Sequence, residues 1–153
     1  MRPHPLLACL VLTLASCSSS SPTNPTSTTS GGPLLVTITP NPLPHLTAGQ
    51  QIVWNVTFRN GSSTGVRVDR SEAVVVDASG TTFAERKDFW SQSAGCSVCG
   101  GDLHLVMQGQ TTFSGLTATM LANPSSGARF RFTTFYTDDS GVASSISSEI
   151  PIS

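Results

Sequence analysis

The chain has 153 residues, a formal net charge of −1 and 11% charged side chains, well below the roughly 25% of typical soluble domains. That length supports one domain with a real core and excludes two comfortable ones. Eight basic residues against nine acidic ones leave no basic stripe for nucleic acid, and a single lysine, Lys87, argues against long exposed helices.

Residues 1–5 are polar or turn-forming with one positive charge, Arg2, and residues 6–14 form an apolar block interrupted only by Thr13. Nine residues cannot span a bilayer, because a helix rising about 1.5 Å per residue needs about 20. The pattern predicts a cleaved secretory signal. The block ends in Leu14-Ala15-Ser16-Cys17, which resembles the lipobox of bacterial lipoproteins. That resemblance implies removal of residues 1–16, thioether attachment of diacylglycerol to the Cys17 sulfur and acylation, palmitate included, of its new amino group. Several chains matter, since each buried CH₂ contributes about 0.8 kcal/mol and one chain alone holds a protein only reversibly. The other reading is an ordinary signal that leaves Cys17 as a free thiol, an unusual state after export. Ser18 lacks the acidic character associated with inner-membrane retention, so a host with two membranes would carry the protein on the outer one. Cys9 leaves with the signal.

Residues 17–33 continue as the lipidated cysteine and a Ser/Thr/Pro tract with no apolar side chain larger than proline. Such a stretch cannot bury enough to offset its ordering entropy and is expected to be a disordered tether. A glycosylated stalk is the alternative. The sequons Asn55-Val56-Thr57 and Asn60-Gly61-Ser62 are expected to be chance matches in a bacterial lipoprotein.

From residue 34 to 153 short apolar runs alternate with period two between Gly, Asn, Asp and Pro. Residues 34–39 are a first strand ended by Pro40, Pro42 and Pro44, which cannot donate to a ladder. After Ala48-Gly49, residues 51–59 place Ile52, Trp54, Val56 and Phe58 on one face, with Trp54 as anchor. A loop through Gly65 follows. Val66 and Val68 open the next strand, and Val74-Val75-Val76 reads as a separate run buried on both faces. Asp77-Ala78-Ser79-Gly80 turns the chain into a return at residues 81–84. Leu103, Leu105 and Met107 alternate again. Residues 111–121 form a Thr-rich strand with a kink expected at Gly115. Ala128, Phe130, Phe132, Thr134 and Tyr136 share one face, and Asp138-Asp139-Ser140-Gly141 turns into a last strand with Ile146, Ile150 and Ile152 in phase.

Eight or so strands without a helical period describe an all-β chain, a single immunoglobulin-like antiparallel β-sandwich. Its core draws on Trp54, Val56, Phe58, Val75, Leu105, Phe130, Phe132 and Ile150. Trp54-Asn55-Val56-Thr57-Phe58-Arg59-Asn60-Gly61 and the hairpin Tyr136-Thr137-Asp138-Asp139-Ser140-Gly141 resemble the Ig-like and fibronectin-III-like modules of bacterial surface proteins. The Cys-Trp-Cys pattern of antibody domains is absent.

Cys96-Ser97-Val98-Cys99 is the one motif with reactive potential. In an oxidising compartment the two cysteines are expected to form a disulfide, worth about 2 kcal/mol for so short a loop. A thiol-redox role would need a helix N-terminus or a nearby cation, whereas Gly100-Gly101-Asp102 follow. Gly100 in place of histidine excludes c-type haem attachment. A zinc site would draw on Cys96, Cys99, His104 and Asp102. No nucleophile elbow occurs, so no enzyme, cofactor or metal is expected. Phe89-Trp90, in a Ser/Gly-rich insertion, form the candidate partner-binding loop; their alternative role is to cover the open end of the sandwich.

The expected function is a lipid-anchored, non-enzymatic cell-envelope lipoprotein whose domain binds a protein or glycan partner. The alternatives are an accessory subunit of an envelope complex that pairs through an edge strand, and a thiol-redox or zinc protein using Cys96 and Cys99.

Overall fold

A computed structural model describes residues 27–90 and 103–153. The signal segment, Cys17, Cys96, Cys99 and Asp102 lie outside the described residues. Every regular element among them is a strand: β1 (Ser27–Gly31), β2 (Leu34–Thr39), β3 (Gln51–Asn60), β4 (Val66–Val76), β5 (Lys87–Phe89), β6 (Leu103–Leu105), β7 (Thr111–Thr119), β8 (Arg129–Asp138) and β9 (Ala143–Pro151).

They form two antiparallel sheets. One has the order β1-β2-β3-β7; the other has β5-β4-β8-β9, with β6 also on β4. Setting aside β1, β5 and β6, the connectivity puts the first, second and fourth long strands in one sheet and the third, fifth and sixth in the other. This is the immunoglobulin-like division of strands, A-B-E against C-F-G.

Period-two alternation builds both inner faces. On β3 the residues Ile52, Trp54, Val56 and Phe58 are all 1% exposed or less, and on β8 Phe130 and Phe132 face them. The Trp54 ring lies 4.8 Å from Phe130 and 5.8 Å from Phe89, the latter edge to face, geometry that aromatic quadrupoles favour. All eight residues expected in the core are buried there.

Several boundaries differ from the sequence expectation. The disordered tether expected from the sequence runs to residue 33, yet Ser27–Gly31 pairs along its whole length with β2, from Ser27↔Ile38 to Gly31↔Leu34. Backbone pairing needs no apolar side chain, only an edge with free N–H and C=O groups. The Gly32-Pro33 turn joins the two strands, with Gly32 at φ 66°. Proline cannot take a positive φ, so of the two-residue hairpin turns only type II′, with glycine first, fits.

The two runs expected around Val66 and Val75 are one strand, β4, whose register against β8 shifts between Val68 and Arg70. Asp69 is the extra residue of this bulge and accepts a hydrogen bond from Thr137 Oγ1 at 2.7 Å. Val74 and Val76 are half-buried, so the triple-valine run has one core face rather than two. Gly115 causes no break, since β3 and β7 stay in register from Gln51↔Thr119 to Arg59↔Thr111.

The expected return strand at residues 81–84 is a crossing instead. It bridges Val76 through Thr82 and Met120 through Ala84, passing from one sheet to the other. On the opposite side the proline-rich segment after β2 does the same: Leu43 leaves the first sheet and bridges Ile152 in parallel.

Candidate functional site

One end of the sandwich gathers the β1–β2 turn, the β3–β4 loop (61–65), the β6–β7 loop (106–110) and the β8–β9 turn (139–142). Asn60, the last residue of β3, ties the β3–β4 and β6–β7 loops together. It is fully buried. Its Nδ2 donates to the Thr64 carbonyl at 2.9 Å and the Leu105 carbonyl at 3.0 Å. Its Oδ1 accepts the Ser62 N–H at 2.9 Å. Its backbone N–H donates to Gln110 O and its carbonyl accepts from Gly109. An amide offers donors and an acceptor on one short side chain, so it can hold two loops that a carboxylate or an aliphatic could not.

Neighbouring contacts extend the clamp. Gln110 Oε1 accepts the Val106 N–H at 2.7 Å and the Met107 N–H at 3.2 Å. Gly61 N–H donates to the Pro33 carbonyl at 2.7 Å, and Asp139 N–H to the Gly65 carbonyl at 2.9 Å. His104 Nε2 lies 2.7 Å from Asp139 Oδ1. A Cβ at Gly65 would stand 2.0 Å from Asp139 Oδ2 and 3.1 Å from His104 Nε2, so glycine there is what allows this pair to form. In the β8–β9 turn the Asp138 carboxylate accepts hydrogen bonds from the Ser140 hydroxyl and from the Val142 and Ser140 N–H groups. These bonds, the hydroxyl's first, hold its pKa below the usual carboxylate range.

On this fastened frame Val106, Met107 and Val142 are 55%, 69% and 57% exposed. Three apolar side chains thus stand exposed on loops whose backbone is hydrogen-bonded in place. Such loops on a rigid scaffold lose little entropy when they bind.

The sequence candidates fare differently. The expectation that Phe89 and Trp90 present a contact loop is corrected for their rings. Phe89 is on β5 and 1% exposed, and Trp90 is 7% exposed. Trp90 packs edge to face on Phe58 with centroids 5.1 Å apart, and its φ of 55° turns the chain away from β5 while the ring stays inside. A bulky residue at positive φ costs about 1–3 kcal/mol, which ring burial offsets. They fill the core between the sheets, nearer to the covering role that was the alternative. His104 sits on β6 facing Asp139, and the other members of the zinc and disulfide expectations, Cys96, Cys99 and Asp102, lie outside the described residues. Met107, in phase with Leu103 and Leu105 in the sequence, instead lies past the end of β6 and is exposed; Val106 and Val142 carry no sequence signal beyond being apolar residues beside turns, and the buried knot at Asn60 reads only as a turn dipeptide with Gly61.

A shallow groove of about 400 Å³ on the outer face of the second sheet is lined by Glu72, Val74, Arg86 and Arg131 among others. Its charges are mutually engaged: Arg86 pairs with Glu72, and Arg131 with Glu149 at 2.7 Å. The Glu72 carboxyl is pushed up by partial burial, but hydrogen bonds and charge from Arg86, then Arg70, outweigh this and leave it below the usual range.

No family model and no curated protein sequence matches the chain. Among solved structures it is similar to one described as the ApaA protein from Bordetella pertussis, at 15% identity over 78% of this chain and 93% of that one, with a TM-score of 0.47. The structural-genomics target SoR45 shares 12% identity over 80% and 85%, with a TM-score of 0.45. Spo0M, a sporulation control protein from Bacillus subtilis, shares 14% over 78% of this chain and 48% of its own, with a TM-score of 0.44.

Proposed function

We propose that the protein is a lipid-anchored, non-enzymatic lipoprotein of the bacterial cell envelope, held through Cys17, whose sandwich offers its fastened loop end to a protein or glycan partner. In a host with two membranes it belongs on the outer one, given Ser18. The observation that carries the anchor is the sequence Leu14-Ala15-Ser16-Cys17, and the direction of β1 supports the choice of the loop end. That strand runs toward the loop end, ending at Gly31 opposite Leu34, so Ser27, where it begins, lies opposite Ile38. Four residues at about 3.3 Å each set that entry about 13 Å back from the loop end. A head joined there to a membrane anchor carries its exposed Val106, Met107 and Val142 beyond the attachment point, at the end that β1 runs toward.

The anchor is tested by mass analysis of the purified mature chain and by detergent phase separation. A diacylated Cys17 at the new N-terminus supports the reading, with Cys17→Ser moving to the aqueous phase. An unmodified Cys17, or a wild-type chain wholly in the aqueous phase, refutes it. A photo-crosslinking residue at Met107 then tests the surface. Crosslinking to an envelope component from Met107 but not from Ser126, exposed in the β7–β8 loop, supports it, and equal labelling from both refutes it.

A further inference from the structure

We propose that the outer edge of β2 is an augmentation site for an extended segment of another protein, and that β1 is a weak placeholder occupying it. Neither the lipid anchor nor the loop end enters the argument. β2 presents Leu34, Val36 and Ile38 to the core, each 1% exposed or less. The register sets positions 31, 29 and 27 of β1 opposite these three, and β1 also lies beside β9. It therefore closes one side of the sandwich. In an antiparallel pair, opposed residues share a face, so these are the three core-side positions of the edge. They are occupied by Gly31, Thr29 and Ser27.

A strand that closes a sandwich is ordinarily apolar at such positions, because that is where burial stabilises it. β1 pairs with β2 through its backbone, and its short connection through Gly32-Pro33 raises its local concentration beside β2. It can leave without breaking the pairing of β2 with β3, which runs independently from Leu34↔Asn60 to Thr39↔Asn55. Release uncovers the β2 edge along the five residues that β1 pairs with, Leu34 to Ile38, a template for a new strand.

The chemistry of the occupant follows. It is an extended segment running antiparallel to β2, with β-branched apolar residues at three alternate positions. A second copy of this chain is disfavoured, since its own β1 would bring the same Ser, Thr and Gly and gain nothing over pairing within one chain.

The test uses the mature chain and a dye-labelled synthetic peptide, Val-Thr-Val-Thr-Val flanked by lysines, with binding read by fluorescence anisotropy. Two variants bracket the wild type. Ser27→Val with Thr29→Val strengthens the placeholder and is expected to weaken peptide binding about tenfold or more. Thr28→Pro with Thr29→Pro weakens it: alternate residues of an antiparallel strand donate to a given neighbour, so one of two adjacent prolines removes a ladder bond. That variant is expected to bind the peptide about tenfold more tightly. Equal binding by all three forms, or no binding by the double-proline form, overturns the proposal. So does a double-proline form that dimerises rather than taking up peptide, which would assign the edge to a second copy.

Discussion

Replacing Asn60 by alanine tests whether one buried amide holds the loop end together. The substitution deletes both Nδ2 bonds, to Thr64 O and Leu105 O, and the Oδ1 acceptor of the Ser62 N–H, at a residue with no exposure. The Leu105 carbonyl bond is itself buried. An orphaned buried polar group costs about 1–3 kcal/mol and a partly exposed one less, so the expected loss is about 2–4 kcal/mol. For a domain of this size that lowers Tm by about 10 °C, measured by circular dichroism in the strand region. Asn60→Asp sharpens the test. It keeps Oδ1 but sets a second carboxylate oxygen against two carbonyl oxygens, which raises the folded-state pKa of the introduced acid. A raised carboxyl pKa contributes stability at low pH and loses it as pH rises past the unfolded value near 4. Asn60→Asp should therefore be less stable than Asn60→Ala at pH 7 and recover toward it on acidification. A Tm drop of less than about 2 °C for Asn60→Ala, or an aspartate variant insensitive to pH, would refute the clamp.

Trp54 tests the core. Its Nε1 is buried without a hydrogen-bond partner, so Trp54→Phe removes an unsatisfied donor along with some volume and should cost less than about 1.5 kcal/mol, against about 3–5 for Trp54→Ala, by urea denaturation. Gly65→Ala should displace Asp139 from His104, because the added Cβ meets Asp139 Oδ2 at 2.0 Å. The expected signs are a loss of about 1–2 kcal/mol and a changed His104 ring resonance by NMR. Glu72 has a lowered carboxyl pKa, so its contribution is present above the ordinary value of 4.5 and fades as pH falls through the folded-state value. Glu72→Gln should thus flatten the decline in Tm on the acid side and leave a smaller difference from wild type at pH 3 than at pH 7.

The fold was legible because its signals are carried by side chains. Alternation in residues 51–59 and 128–136 identified both inner faces, and the Asp-x-Ser-Gly turns at 77–80 and 138–141 appear where they were read. In each turn the first aspartate accepts hydrogen bonds from the serine hydroxyl and backbone N–H. What escaped lies in the backbone or in long-range partners. β1 is made of residues that bury little, so no pattern marks it, and its pairing depends on an edge supplied by β2. Thr81-Thr82-Phe83-Ala84 has strand composition but spends its hydrogen bonds on two different sheets: Phe83 N–H donates to Val75 O, and Leu121 N–H to Phe83 O. At Phe89-Trp90, aromatic residues next to Gly and Ser look exposed in sequence, but Trp54, Phe58 and Phe132 are partners brought from 32 to 43 positions away. The loop end was the least legible, since its apolar residues take meaning only from the polar knot beneath them.

The pairing of Ser27–Gly31 with β2 also sets how far the head can stray. With those five residues taken into the sheet, nine remain between Cys17 and the first paired position, and nine residues can span no more than about 30 Å. Under the proposed anchoring the head patrols a shell about as deep as one small domain is wide. A partner of the loop end then lies within that depth plus the head's own length from the lipid, unless β1 first unpeels and lets out more line.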